Sequence, residues 1–225
     1  MMNSNRDTVI RISPGKAEIV VEQCGSAGVT TRKSLTPETF AKCIIGSRFD
    51  EMIRFSGILP ENCIGTAIGD SKIWYFIRYP KLYADISYYG TTYEEFPIPR
   101  LLFSFAYDRE SSKALSPRIC VVKDERLTPD TPTYKYPFSN VFEGHGICIG
   151  NNELPIYKDP TRIFTLADYI LRMPNNNDMF SEKNNKLGLG YRDLLEHLKD
   201  KPPAYYYTDV LIPDGSTLKN FFEWR

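Results

Sequence analysis

Four short runs of aromatic and β-branched residues follow one another between positions 64 and 122, and they constrain the fold more than any other feature of the sequence. The runs are Ile64–Ile68, Ile73–Tyr79, Leu101–Tyr107 and Ile119–Val122, separated by Gly, Pro, Asp and Ser. Serial short runs of this kind predict an antiparallel β-meander. The third run is too apolar for an exposed edge, so we expect it in the middle of the sheet.

Helices are predicted on both sides of this meander. Thr36 is a candidate N-cap, Pro37 suits the first helical position, and apolar residues recur at helical spacing within Phe40–Ile53. After the sheet, Thr165–Arg172 and Tyr191–Lys199 also have a helical pattern. The sequence therefore predicts an α+β protein in which helices flank an antiparallel meander.

The N-terminal region is predicted to extend this core. Thr8–Ser13 and Ala17–Glu22 are two strand-like runs around Pro14-Gly15, which is typical of a β-hairpin. A chain of 225 residues, 42% of them hydrophobic, is long enough for one substantial core. We therefore predict a single domain over residues 1–225, with residues 1–34 as an N-terminal β-hairpin extension.

Three segments lack a regular pattern. Lys123–Pro137 contains three prolines and is predicted to be an extended surface connection. Pro174–Asp178 is predicted to be a turn-rich linker between the last two helices. The aromatic stretches Pro202–Tyr207 and Phe221–Trp224 have few helix signals, and we expect them to cover the sheet or to meet a partner.

The composition argues against several classes of protein. The 28 basic and 28 acidic residues balance, so no global field favours nucleic acid or an anionic membrane. No apolar run approaches the ~20 residues that span a bilayer, which predicts a cytoplasmic protein. Five cysteines without a C-x-x-C pair, and only two histidines, argue against a disulfide framework or a metal site. The spacing of Gly144, Gly146 and Gly150 does not fit a nucleotide loop, so we expect no cofactor.

One segment combines residues that can perform chemistry. Asn140 offers a carboxamide, Cys148 follows eight positions later, and two glycines between them permit a tight return. If the stretch is extended, Ile147 and Ile149 point towards the core while the cysteine points the other way. This predicts an accessible thiol on a rigid support.

The same segment resembles ubiquitin-conjugating enzymes, in which an Asn lies eight residues before a Gly-x-[Ile/Val]-Cys-[Leu/Ile] nucleophile. It is closer still to the prokaryotic branch called family D, which includes PRTRC-system protein B. The motifs of that branch appear here as Thr131-Pro-Thr-Tyr134, Pro137-Phe-Ser-Asn-Val141 and Gly146-Ile-Cys-Ile-Gly150.

The resemblance spans roughly residues 58–155. Weaker matches occur in the family's order at Ile58–Pro60, Ile73–Phe76 and Pro97–Leu102. The His of the eukaryotic motif is absent, and Tyr136-Pro-Phe-Ser139 precedes Asn140 instead.

This resemblance implies a ubiquitin-conjugating-enzyme-like fold and a bacterial-type thioester carrier. Cys148 is then expected to accept a ubiquitin-like protein from a ubiquitin-activating-like enzyme and to pass it to a lysine of a target protein. Asn140 is expected to donate an amide hydrogen bond to the oxyanion or to hold the surrounding loop. Three further residues are candidates for supporting roles: His145, Tyr136 and Pro137.

Other interpretations remain open at the level of sequence. Cys148 taken alone suits a small buried hydrophobe, and Asn140 suits a turn residue that caps backbone groups. The protein is then a catalytically idle binding module of the same fold that recruits conjugation partners. A second alternative is a cysteine hydrolase that uses Cys148 with His145 or His197, although neither histidine has an evident orienting partner.

Overall fold

The protein divides into two compact units, residues 1–56 and 57–225. The computed structural model describes residues 8–12, 18–24, 30–46 and 57–223. Within these ranges, none of the helices combines the length and the apolar character that crossing a bilayer requires. The division into two compact units does not test the predicted single domain over residues 1–225, which stays a prediction.

In its described residues, the N-terminal unit contains a small antiparallel sheet and one helix. Its strands are β1 (Thr8–Ile12), β2 (Ile19–Cys24) and β3 (Thr30–Leu35), in the order β1-β2-β3. The sequence predicts the first two strands and misses the third. Helix α1 (Pro37–Gly46) begins after Thr36, whose hydroxyl accepts the backbone N–H of Thr39 at 3.2 Å. The second half of the predicted helix lies in residues 47–56, outside the described residues.

The second unit is built on antiparallel strands. A six-stranded sheet has the order β11-β10-β9-β8-β5-β4, and β6 pairs with β7 in a separate hairpin. The strands are β4 (Cys63–Ile68), β5 (Lys72–Arg78), β6 (Tyr83–Tyr88), β7 (Thr91–Pro97), β8 (Leu101–Asp108), β9 (Ala114–Val122), β10 (Pro132–Tyr134) and β11 (Pro213–Thr217).

Short helices follow β10 in the chain, on both sides of β11. The α-helices are α2 (Leu166–Leu171), α3 (Tyr191–Leu198) and α4 (Leu218–Phe222). Pro160–Thr165 and Glu182–Asn184 are 3₁₀ helices, and Tyr206–Val210 is a π-helix. The unit is therefore α+β, as the sequence predicts.

The large sheet separates two apolar cores, and β8 contributes to both. Phe103 and Phe105 join the larger core with residues of α2 and α3, whereas Leu102 joins the smaller core with Leu218 and Phe221 of α4. Because successive side chains of a strand point to opposite faces, a strand covered on both faces becomes continuously apolar. This explains the third run of the sequence, and the predicted central place of β8 is confirmed.

The C-terminal aromatic residues cover the sheet, which is one of the two predicted roles. Tyr206 is fully buried in the larger core, and its hydroxyl donates to the carbonyl of Pro97 at 2.8 Å. Phe221 is buried in the smaller core on the other face. The aromatic stretches therefore supply core residues from the end of the chain.

One predicted surface connection is partly wrong. Within Lys123–Pro137, β10 inserts between β9 and β11, and Thr131 and Thr133 are buried. Pro132 is the first residue of this strand, a position where the missing N–H of proline is tolerated.

The hairpin of β6 and β7 was also missed. Its two-residue turn is Tyr89-Gly90, and both residues have positive φ, 44° and 82°. Turns of this hand suit the twist of a hairpin, but Tyr is an uncommon first residue for them.

Candidate active site

Asn140 and Cys148 lie opposite each other in a short antiparallel hairpin. The backbone N–H of Cys148 donates to the carbonyl of Asn140 at 2.8 Å, and Val141 pairs with Ile147 on the next rung. The pair has this one backbone bond, because the N–H of Asn140 points to the carbonyl of Asp178 instead. The eight-residue spacing seen in the sequence is therefore the register of a hairpin.

The tip of the hairpin is a tight turn. The N–H of Phe142 donates to the carbonyl of Gly146 at 2.9 Å, and the N–H of His145 donates to the carbonyl of Phe142 at 3.0 Å. His145 has φ of 68°, in the left-handed region. These two backbone bonds join the ends of the turn and fix its conformation.

The returning arm of the hairpin lies along the outer edge of β9. The N–H of Ile119 donates to the carbonyl of His145 and the N–H of Ile147 donates to the carbonyl of Pro117, both at 2.9 Å. Strand β10 pairs with only Val121–Val122 at the far end of this edge. The cysteine segment is thus attached to the central sheet by backbone hydrogen bonds.

The residues before Asn140 are fixed by the larger core. Phe138 is only 1% exposed, and its ring packs edge-to-face against Phe96 and Tyr206 at centroid distances of 6.0 and 6.1 Å. Pro137 and Ser139 on either side are also buried. Asn140 is the first half-buried residue after this anchor.

Asn140 is held by the linker that follows α2. Its Nδ2 donates to the carbonyl of Pro174 at 3.1 Å, and its backbone N–H points to the carbonyl of Asp178 at 3.4 Å. Its φ of 64° lies in the left-handed region, which Asn tolerates better than most residues. Since a carboxamide carries two donor hydrogens, one remains beyond the bond to Pro174.

Cys148 carries a free, half-buried thiol between two apolar anchors. Ile147 is 8% exposed and belongs to the larger core, and Ile149 packs against that core. The arrangement of anchors agrees with the alternation expected from the sequence. It places a partly accessible thiol on an ordered backbone.

Comparison with known families decides the classification. The model of the family described as prokaryotic E2 family D matches residues 41–211, more than half of the chain. This chain belongs to prokaryotic E2 family D. The match contains the whole hairpin and extends on both sides of the residues 58–155 that carry the motif resemblance. Neither a search of curated proteins nor a search of solved structures found a match.

Membership of family D indicates a role in ubiquitin-like conjugation and partners of that kind. The antiparallel sheet and few helices are compatible with such a family.

In this family D protein the side chain of His145 faces the C-terminal segment. Its Nε2 lies 3.3 Å from Oδ2 of Asp214 in β11, and its ring meets Phe221 of α4 edge-to-face at 5.5 Å. Burial lowers the pKa of His145 and the nearby Arg118 lowers it further, while the carboxylate of Asp214 opposes the decrease. These contacts favour an anchoring role for the imidazole.

The second histidine is engaged elsewhere. Nε2 of His197 lies 3.1 Å from the hydroxyl of Tyr205. Across the described parts of the chain, no hydrogen bond joins Cys148 to His145 or to His197. The hydrolase alternative therefore lacks a base bonded to its nucleophile.

Tyr136 and Pro137 support the site through packing. The ring of Tyr136 meets Phe138 edge-to-face at 5.3 Å, and burial raises the pKa of its phenol, so the hydroxyl stays protonated. Pro137 is buried beside this pair. Both residues lie in the segment that leads to Asn140.

Sequence reasoning missed two groups that hold the hairpin. One is the linker around Asn175, which was predicted only as a turn. The other is Asp214, whose Oδ1 accepts from the hydroxyl of Thr133 at 2.8 Å while Oδ2 faces His145. Both are far along the chain from Cys148, and only the Asn-rich composition of the linker hinted at a hydrogen-bonding role.

Proposed function

We propose that the protein is a ubiquitin-conjugating-like acyltransferase that carries a ubiquitin-like protein as a thioester on Cys148. The observation that carries this proposal is the hairpin register, which brings the carboxamide residue Asn140 opposite the thiol. The second unit is then a ubiquitin-conjugating-enzyme-like fold, with residues 1–34 as its N-terminal extension in one domain. The cytoplasmic location stays a prediction.

The first step is a thioester exchange. The thiolate of Cys148 attacks the carbonyl carbon of the thioester that joins the ubiquitin-like protein to its activating enzyme. A new carbon–sulfur bond forms to Cys148, and the cysteine of the activating enzyme leaves as a thiolate that takes up a proton. One thioester replaces another, so no further energy source is needed.

The second step transfers the cargo to a target lysine. The neutral amine attacks the carbonyl carbon, and negative charge develops on the carbonyl oxygen. The collapse of this intermediate breaks the carbon–sulfur bond, expels the Cys148 thiolate and leaves an amide. The proton that the attacking nitrogen loses is taken up by the expelled thiolate or by solvent water. The second Nδ2 hydrogen of Asn140 donates to the oxyanion while Pro174 holds the first. His145, Tyr136 and Pro137 keep the hairpin and its approach in place.

A charging reaction tests the proposal. The protein is incubated with its ubiquitin-activating-like enzyme, the ubiquitin-like protein and ATP, and adducts are read by intact mass with and without a thiol reductant. We expect a thiol-sensitive adduct on the wild type, a reductant-resistant ester on Cys148→Ser and no adduct on Cys148→Ala. Cys63→Ala removes another half-buried thiol and should charge normally. Absence of the wild-type adduct, while the activating enzyme charges itself, would contradict the proposal.

The idle binding module is the second candidate. It is favoured by the half-buried state of Cys148 and by the lack of a hydrogen bond from either histidine, within the described residues, to its thiol. A Cys148→Ala protein that retains full biological activity would establish it in place of the carrier.

A further inference from the structure

The linker between α2 and α3 is attached to the β6–β7 hairpin through Asn175. The backbone N–H of Asn175 donates to the carbonyl of Ser87 at 2.8 Å, and its carbonyl accepts from the N–H of Tyr89 at 3.3 Å. Tyr88 adds a side-chain bond from its hydroxyl to Oδ1 of Asn177 at 2.9 Å. The linker therefore has a fixed backbone at this point.

The side chain of Asn175 uses every hydrogen-bonding group that it has. Its Nδ2 donates to the carbonyls of Ser87 and Met173 at 3.2 and 3.3 Å. Its Oδ1 accepts from the hydroxyl of Ser139 at 2.9 Å. Only a carboxamide offers two donors and an acceptor here, since a carboxylate would face two carbonyl oxygens.

These bonds connect the linker to the hairpin of Cys148. Ser139 is 1% exposed and immediately precedes Asn140. Pro174, immediately before Asn175, provides the carbonyl that accepts from Nδ2 of Asn140. Asn175 thus fixes both the residue before Asn140 and the group that orients the Asn140 carboxamide.

We propose that Asn175 is a positioning residue for transfer from Cys148, acting through Asn140. The proposal rests on the carrier function proposed above and assigns to the linker the task of aiming the free Nδ2 hydrogen. A donor helps only when it is already aligned with the developing oxyanion, because alignment during the reaction would cost free energy. Exchange between thiols combines a good nucleophile with a good leaving group, so thioester formation on Cys148 should be nearly insensitive to this alignment, whereas discharge to an amine should depend on it.

The test separates charging from discharge. Asn175→Ala should form the thioester at the wild-type rate and discharge it to free lysine about 10- to 100-fold more slowly in a single turnover. Asn220→Ala, an exposed change on α4, is the control and should match the wild type in both steps. Equal discharge by Asn175→Ala and wild type overturns the proposal.

A double variant shows whether Asn175 acts through Asn140. Asn140→Gly removes the carboxamide and keeps a backbone that accepts positive φ. If Asn175 only positions Asn140, the combination of Asn140→Gly with Asn175→Ala discharges no more slowly than Asn140→Gly alone. Independent, multiplicative losses would assign Asn175 a different role and overturn the positioning proposal.

A measurement on the uncharged protein keeps this proposal distinct from the carrier function. In ¹⁵N-labelled protein, the side-chain amide protons of Asn140 should exchange with solvent at least about tenfold faster in Asn175→Ala than in the wild type. Unchanged exchange overturns the positioning role even if charging succeeds, and faster exchange supports it even if charging fails. Should Asn175→Ala not fold, Ser139→Ala removes the hydroxyl bond to Asn175 and is expected to show the same change.

Discussion

Cys148 donates its backbone N–H to the carbonyl of Asn140 at 2.8 Å, so the two residues occupy one rung of a hairpin. The backbone pairing joins the two residues although eight positions separate them in the chain. The roles of the two residues can therefore be separated by substitutions that leave this backbone bond intact.

Asn140→Gly tests the carboxamide without straining the backbone. Glycine accepts the φ of 64°, so charging of Cys148 should be unchanged. Discharge to lysine should slow by about 10²–10³, the usual loss for one oxyanion donor. Single-turnover discharge of the purified thioester measures this, and Asn140→Asp, which keeps the shape but not the donor, should be as slow. Normal discharge by both variants would remove Asn140 from the mechanism.

Phe138→Ala should destabilise the protein far more than Phe142→Ala. Phe138 is 1% exposed and packs between Phe96 and Tyr206, whereas Phe142 at the hairpin tip is 47% exposed. We expect a loss of about 3–5 kcal/mol in the free energy of unfolding for the first and within about 0.5 kcal/mol for the second. Urea denaturation followed by tryptophan fluorescence provides both values, and similar losses would refute the assignment of Phe138 as the anchor.

The buried hydroxyl of Tyr206 should also contribute to stability. Tyr206→Phe leaves the carbonyl of Pro97 without its 2.8 Å donor, at a cost of about 1–3 kcal/mol. Tyr89→Phe removes a hydroxyl from a side chain that is 62% exposed and should change the free energy of unfolding little. Thermal denaturation of the two variants and the wild type measures the contribution of the bond to Pro97. Equal stability of Tyr206→Phe and Tyr89→Phe would contradict it.

His145 should make stability depend on pH below neutrality. Burial, with Arg118, lowers the pKa of His145 below its ordinary 6.5, and Asp214 opposes part of that effect. Between the folded and unfolded values the unfolded chain binds more protons, so the free energy of unfolding decreases as pH falls through 6.5 and is fully recovered above it.

Replacing His145 should remove this contribution. His145→Asn, a residue that tolerates the positive φ, should lose less stability than wild type between pH 7.5 and 5.5 in urea denaturation. Asp214→Asn removes the charge that opposes the decrease in the pKa of His145. Its free energy of unfolding should therefore fall more than that of the wild type between pH 7.5 and 5.5. If the free energy of unfolding of both variants changed with pH as in the wild type, His145 would not be the source of the pH dependence.

The sequence predicted the features that depend on local pattern or on short spacing. The apolar run of β8 revealed a strand covered on both faces, and the spacing of Asn140 and Cys148 corresponds to the register of a hairpin. The alternation around Ile147 was likewise visible, because strand periodicity is a local property.

The contacts that complete the site are not local, and the sequence did not predict them. Asn175 reaches Ser139 from a linker that looked like an ordinary turn, and Asp214 meets His145 from a strand near the end of the chain. Strand β10 was missed because Pro132 suppresses the strand pattern at its first residue. These long-range contacts depend on the order of the strands in the sheet. That order cannot be predicted from local composition and residue spacing.

The position of the Cys148 hairpin beside β9 has a consequence for the solubility of altered forms of the protein. An uncovered strand edge is a template for pairing with other chains, and the hairpin shares the outer edge of β9 with β10. Shortening the hairpin would therefore expose backbone donors and acceptors of a central strand. Loss of the hairpin that contains Cys148 should then appear first as self-association of the protein.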